Sequence, residues 1–235
     1  ISQNTFQGLE AAAFNSPLHR RPVAYISFAL NYYLHGYNVV GFRLVNIIIH
    51  VINGILLYFF IQATFRTPVL RSCNTHAKWI SFFAAAIWMV HPLQPLSISY
   101  TVQRMNSLAA MFYILSFLLY VHFRMNPQKG SKGWLLSGCI LAGILALGSK
   151  ENAATLPFFI ILYEWYFFEN LSLKWLKAHI PGLAGLFLLL AIITLIYVGI
   201  DPLDKILATY EIRNFTPTQR VLTEFRVVMF YISLF

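Results

Sequence analysis

The stretch that decides the fold reads Val39-Val-Gly-Phe-Arg43-Leu-Val-Asn46-Ile-Ile-Ile-His50-Val-Ile-Asn53-Gly-Ile-Leu-Leu-Tyr58-Phe-Phe-Ile-Gln62-Ala63. It is long enough to cross a bilayer as a helix, which takes about 20 mostly apolar residues. Arg43, Asn46, His50 and Asn53 recur at spacings of 3, 4 and 3, so they share one helical face. Below Asn53 the segment is apolar down to Gln62. A polar stripe confined to one half of a span must meet neighbouring helices or line a cavity, because it cannot face lipid. Interhelical hydrogen bonding is the plain explanation for Asn46 and Asn53. Adding Arg43 and His50 makes a cavity open to the outer leaflet the expectation.

Working outward, the same signature recurs. Of 235 residues, 58% are hydrophobic and only 11% charged, and mean hydropathy is +0.64. A soluble domain carries roughly a quarter charged residues, so soluble enzymes, disordered tails and disulfide scaffolds are excluded. The expected fold is all-α: a polytopic transmembrane helical bundle with spans near 39–63, 79–96, 105–123, 134–147, 153–168, 179–200 and 221–235. Residues 1–38 form an outer-side loop holding an interfacial helix over 22–35, and residues 39–235 form the transmembrane core. Cys73 and Cys139 stand alone in a basic loop and an apolar span, so no disulfide is expected.

Orientation follows the cations. Arg66, Arg71 and Lys78 share one short loop, Arg124, Lys129 and Lys132 the next alternate one, and Lys174 and Lys177 the third. Basic loops stay cytoplasmic, so 1–38, 97–104, 148–152 and 201–220 face the outer, periplasmic or lumenal, side. The net charge of +9 then reflects topology and lipid headgroups, not nucleic acid.

The outer segments hold the chemistry-bearing residues. In His91-Pro92-Leu-Gln94-Pro95 two prolines end a helix at the membrane face. Arg104 opens the next helix, at the end whose dipole favours anions; a cation there makes sense beside a phosphate. Lys150 and Glu151 are adjacent in a turn, so each needs a partner elsewhere. Arg20, Arg21, Asn31 and His35 add polar groups to the same side. Asp201-Pro-Leu-Asp204 reads as a helix start sooner than a metal site. No Walker loop, HExxH helix, zinc cluster or GxSxG turn is present.

Taken in order, Arg21-Pro22, Asn31-Tyr-Tyr-Leu-His35-Gly36, Asn46-x-x-x-His50, His91-Pro92-Leu-Gln94, Val102-Gln-Arg104-Met-Asn106-Ser-Leu108, Ser149-Lys150-Glu151, Pro157 and Leu222-Thr-Glu-Phe-Arg226 resemble the membrane core of TMTC-type proteins. Those proteins carry C-terminal TPR repeats and are similar to protein O-mannosyltransferases of the GT-C class. The resemblance implies a glycosyltransferase that moves a sugar from a polyprenyl-phosphate donor to a hydroxyl of a protein or lipid acceptor on the outer face. It implies an integral, multi-pass location, in the bacterial inner membrane or in the ER membrane of a eukaryote. Substrate contacts map to Arg104, Lys150, His91, Asn106, Arg21, His50 and Arg43. The catalytic acid is expected upstream of Ile1, with Glu10 and Glu151 as weaker candidates. The resemblance fixes no cofactor, and a divalent cation, Mg or Mn, is compatible with the class. The family commonly has an acid four residues beyond the His-Pro proline, where this chain has Leu96. That departure leaves open a non-catalytic membrane scaffold or lipid-headgroup-binding partner built on the same core.

Overall fold

The computed structural model describes residues 21–126, 129–198, 210 and 214–233. Every regular element among them is helical. Contacts divide the chain into two units, Ile1–Ser172 and Leu173–Phe235, each described by itself.

In the first unit, α1 (Pro22–His35) starts with Pro22 in its first turn, where the missing N–H costs nothing. It ends at Gly36, whose φ of 57° is open to glycine at little cost. The Asn38 side chain accepts from Val40 N at 2.9 Å and so caps α2 (Val39–Thr64). A Cβ on Gly41 would lie 2.5 Å from the His35 ring, so the α1–α2 hairpin closes only over a glycine. A 3-10 turn, Arg71–His76, leads to α3 (Ala77–Val90). The short α4 (Pro95–Ser99) and a 3-10 turn, Thr101–Gln103, precede α5 (Arg104–Met125) and α6 (Lys129–Ser149). After another 3-10 turn, Glu151–Thr155, α7 (Leu156–Tyr163) runs into a π-turn, Glu164–Phe168. The apolar run expected over 79–96 is thus helical to Val90, breaks at His91-Pro92, and resumes as α4.

Among the described residues, three segments are long and apolar enough to cross a membrane: Val39–Thr64, Thr101–Met125 and Lys132–Ser149. Their outward faces are apolar, with Ile47, Ile48, Val51, Ile52 and Ile55 exposed along α2 alone. Such a surface suits lipid or neighbouring membrane helices, and the chain is a multi-pass integral membrane protein with an all-α helical bundle. Two apolar cores hold the first unit together. Ala24, Ile49, Met105 and Leu108 join α1, α2 and α5 at one end. Ala63, Phe117, Val121, Leu156 and Tyr163 join α2, α5 and α7 at the other. A Cβ on Gly148 would lie 2.9 Å from Val23 Cγ2, so this glycine lets α1 approach the end of α6.

The second unit contains α8 (Leu173–Val198), with Pro181 inside it, and α9 (Pro217–Ile232). Thr216 and Gln219 form a reciprocal capping box at the start of α9. Glu10, Arg20, Asp201, Asp204 and the ends of the expected spans 179–200 and 221–235 lie outside the described residues.

Candidate functional site

The polar stripe of α2 packs against protein. Asn46 is fully buried and donates to Ile98 O at 3.2 Å. His50 Nε2 meets Met89 O at 2.9 Å, and its ring stacks on Trp88. Asn53 donates to Ser107 O at 3.0 Å. The expected cavity along this face is therefore corrected: the stripe ties α2 to α3, α4 and α5. A side-chain amide or imidazole in lipid must find an acceptor, and a neighbour's carbonyl serves as well as a ligand. Arg43, expected on the same face, is instead exposed.

Arg104 is 0% exposed. Its Nε donates to Asn46 Oδ1 at 2.7 Å, and Nη2 donates to Asn31 Oδ1 at 2.7 Å and Phe42 O at 2.8 Å. Nη1 reaches Ser27 O and Oγ, both at 3.4 Å. A guanidinium has five N–H groups, and five protein oxygens face them. The rings of Phe28 and Phe42 lie 4.7 and 5.4 Å from the guanidinium carbon, within cation–π range. The residue expected to meet a phosphate thus has its N–H groups spent on α1 and α2.

Directly beyond it, at the junction of α1, α5 and α6, lies a more open polar cluster. Lys150 Nζ donates to Asn106 Oδ1, and Asn106 Nδ2 donates to Gln103 Oε1. Arg21 clasps Glu151: Nε lies 3.1 Å from both carboxylate oxygens and Nη2 2.9 Å from Oε2. Arg21 Nη1 also contacts Met105 Sδ at 3.2 Å. The adjacent Lys150 and Glu151 do take separate partners. Burial, reinforced by the nearby Arg21 charge, pulls the Lys150 ammonium below its ordinary pKa, with Glu151 opposing. For Glu151, burial works to raise the carboxyl, but the Arg21 hydrogen bonds and the Arg21 and Lys150 charges outweigh it and hold it below the usual glutamate range. A carboxylate so held is a poor general base. His91, half-buried, accepts from Leu93 N at 3.3 Å at the break after α3.

A second polar cluster escaped the sequence reading. Glu164, buried at the start of the π-turn, accepts from Tyr120 Oη at 2.7 Å and from Arg124 Nε at 2.9 Å, and pairs with Arg124 Nη2. Glu169 approaches the same Arg124 at 3.7 Å. The legible signal was an acid inside the apolar run 153–168, which demands a cationic partner in the bundle. This cluster sits at the far end of α5 from Arg104. Among the described residues no three His, Cys, Asp or Glu side chains gather as a metal site.

The sequence comparisons bear on this constellation. Human protein O-mannosyl-transferase TMTC4 is 31% identical over 158 residues, 64% of this chain and 21% of its own length. Human protein O-mannosyl-transferase TMTC1 is 30% identical over 178 residues, 72% of this chain and 19% of its own. Human protein O-mannosyl-transferase TMTC2 is 27% identical over 202 residues, covering 85% and 23%. This is a TMTC-like chain. It spans about a fifth of the length of these curated relatives. No family model and no solved structure matches it.

Proposed function

We propose that this TMTC-like chain is part of a GT-C-like glycosyltransferase that takes mannose from a polyprenyl-phosphate donor and transfers it to a protein hydroxyl at the outer face. The relatives' names support the transfer and the sugar. The observation that carries the site is the Lys150–Asn106–Gln103 chain beside the Arg21–Glu151 pair, at one end of the bundle.

In this reading the acceptor oxygen attacks the anomeric carbon, the bond from that carbon to the phosphate oxygen breaks, and polyprenyl phosphate leaves. Lys150 meets the phosphate charge, with Asn106 orienting the ammonium. Arg21 holds Glu151 and keeps the turn after α6 against α1. Arg104 is a positioning residue beneath them, and His91 shapes the rim. The base that takes the acceptor proton is a carboxylate other than Glu151. Glu164 and Glu169 are engaged by Arg124 at the opposite end of α5.

The test is Lys150→Gln in the full-length protein, with saturable binding of polyprenyl-phosphate mannose as the readout. A cation and a phosphate at about 4 Å gain roughly 1–4 kcal/mol between water and a protein surface, so affinity should fall about tenfold or more. Unchanged affinity refutes the assignment. The competing scaffold reading draws on Leu96, exposed on α4 where the family's acid is common. It requires donor or headgroup binding with no transfer under any acceptor.

A further inference from the structure

The opposite end of α2 carries a cavity that the proposed transfer does not use. It measures about 300 Å³ and is lined by Gln62, Arg66, Asn74, Thr75, Lys78 and Trp79. Sixteen residues separate Asn46 from Gln62, so it lies roughly 24 Å along the helix axis from the Arg104 cage. The size is at the lower limit of small-molecule sites, and the chemistry of its walls is one-sided.

Arg66 and Lys78 bring two cations, and no carboxylate lines the cavity. Neither cation forms an ion pair among the described residues; Arg66 Nη2 has only a weak contact with Gln62 Oε1, at 3.4 Å. Asn74, Thr75 and Gln62 supply neutral donors between them. The first turn of α3, which forms one wall, contains no acid. Trp79 is 66% exposed at the start of α3, the position of an aromatic at a membrane–water interface. Cations that merely mark a cytoplasmic loop point separately into water or headgroups. Here a concave surface gathers them with three amide or hydroxyl groups, the arrangement that takes an oxyanion.

We propose that this cavity binds a phosphate group, presented either as the headgroup of an anionic lipid of the adjoining leaflet or as a soluble phosphate ester. The site is independent of the transfer site.

The experiment uses the full-length protein in neutral detergent, titrated with dioctanoyl phosphatidic acid and separately with glycerol 1-phosphate, following tryptophan fluorescence. Wild type should saturate. Arg66→Gln combined with Lys78→Gln should lose about fivefold or more in affinity, while Arg71→Gln, an exposed cation of the same turn outside the lining, should change it less than about twofold. All three substitutions are at exposed positions, and matched melting temperatures exclude misfolding. Lipid binding at least about tenfold tighter than glycerol 1-phosphate identifies a leaflet headgroup; comparable binding identifies a soluble ester. Absence of saturation by both probes, or an equal loss in Arg71→Gln, overturns the proposal.

Discussion

Replacing Arg104 by Met keeps an unbranched apolar stem, shorter by the end of the guanidinium, and removes every donor. Three acceptors now served at 2.7–2.8 Å, Asn46 Oδ1, Asn31 Oδ1 and Phe42 O, lose their guanidinium partner. A buried acceptor left unsatisfied costs about 1–3 kcal/mol, so the gross loss is about 3–9 kcal/mol. Against this stands the removal of a charge held out of water with no carboxylate beside it, which returns several kcal/mol. The expected net destabilisation is about 2–5 kcal/mol. At roughly 2–4 °C per kcal/mol for a chain of this size, the melting temperature should drop by roughly 4–20 °C. The assay is thermal unfolding of full-length wild type and Arg104→Met in detergent, with donor binding measured on the same samples below the transition. A variant that melts like wild type yet no longer binds donor would refute the cage: the guanidinium would then be serving a ligand. The reasoning also implies that Arg104→Ala cannot be read as a catalytic variant, since the cavity it leaves adds to the orphaned acceptors.

The remaining predictions concern the paired acids. Glu151 is held below the ordinary glutamate range when folded, so its tie to Arg21 contributes stability above the unfolded pKa, and that contribution is lost as pH falls through the folded one. Glu151→Gln should therefore flatten the acid limb of melting temperature against pH; an unchanged limb would place the titration elsewhere. Lys150 must be protonated to hold a phosphate, and its pKa is lowered. Donor affinity should consequently decline with rising pH before the ordinary lysine range is reached, and the decline should vanish in Lys150→Gln. Glu164→Gln keeps the shape but removes the charge from a hydrogen-bonded cluster, which is expected to cost about 1–3 kcal/mol; melting within error of wild type would argue against that role.

The helical spans were legible where apolar length alone decides them, as in α2. Ends were harder. Leu93 and Leu96 fell inside the expected span 79–96, although the helix ends at Val90 and the chain enters α4 at Pro95. Lys129 and Lys132 suggested a late start for α6, whereas the helix begins at Lys129. The spacing of Asn46, His50 and Asn53 identified a shared face but not its partner. Composition cannot distinguish a ligand oxygen from Ile98 O, Met89 O or Ser107 O, all contributed from about 40–50 residues away. Lys150 and Glu151 needed separate partners by local geometry alone. That Arg21 would be one of them required the fold, since Arg21 and Glu151 are 130 positions apart. Glu164 was hidden because hydropathy averages one acid into its aromatic neighbours, and its Arg124 lies 40 residues upstream.

The Arg104 cage also sets a clock on biogenesis. Its acceptors, on α1 and α2, are made first, and the arginine follows Asn46 by 58 residues. At about 5–20 residues per second of synthesis, that interval is roughly 3–12 s. During it Asn31 and Asn46 lack the guanidinium that later joins them, and Arg104 enters the bilayer region as a cation without its cage. The cage is therefore complete only once α5 has joined α1 and α2. A nascent chain stalled before residue 104 would hold a hairpin with three oxygens awaiting a donor, a ready signal for whatever inspects unfinished membrane proteins.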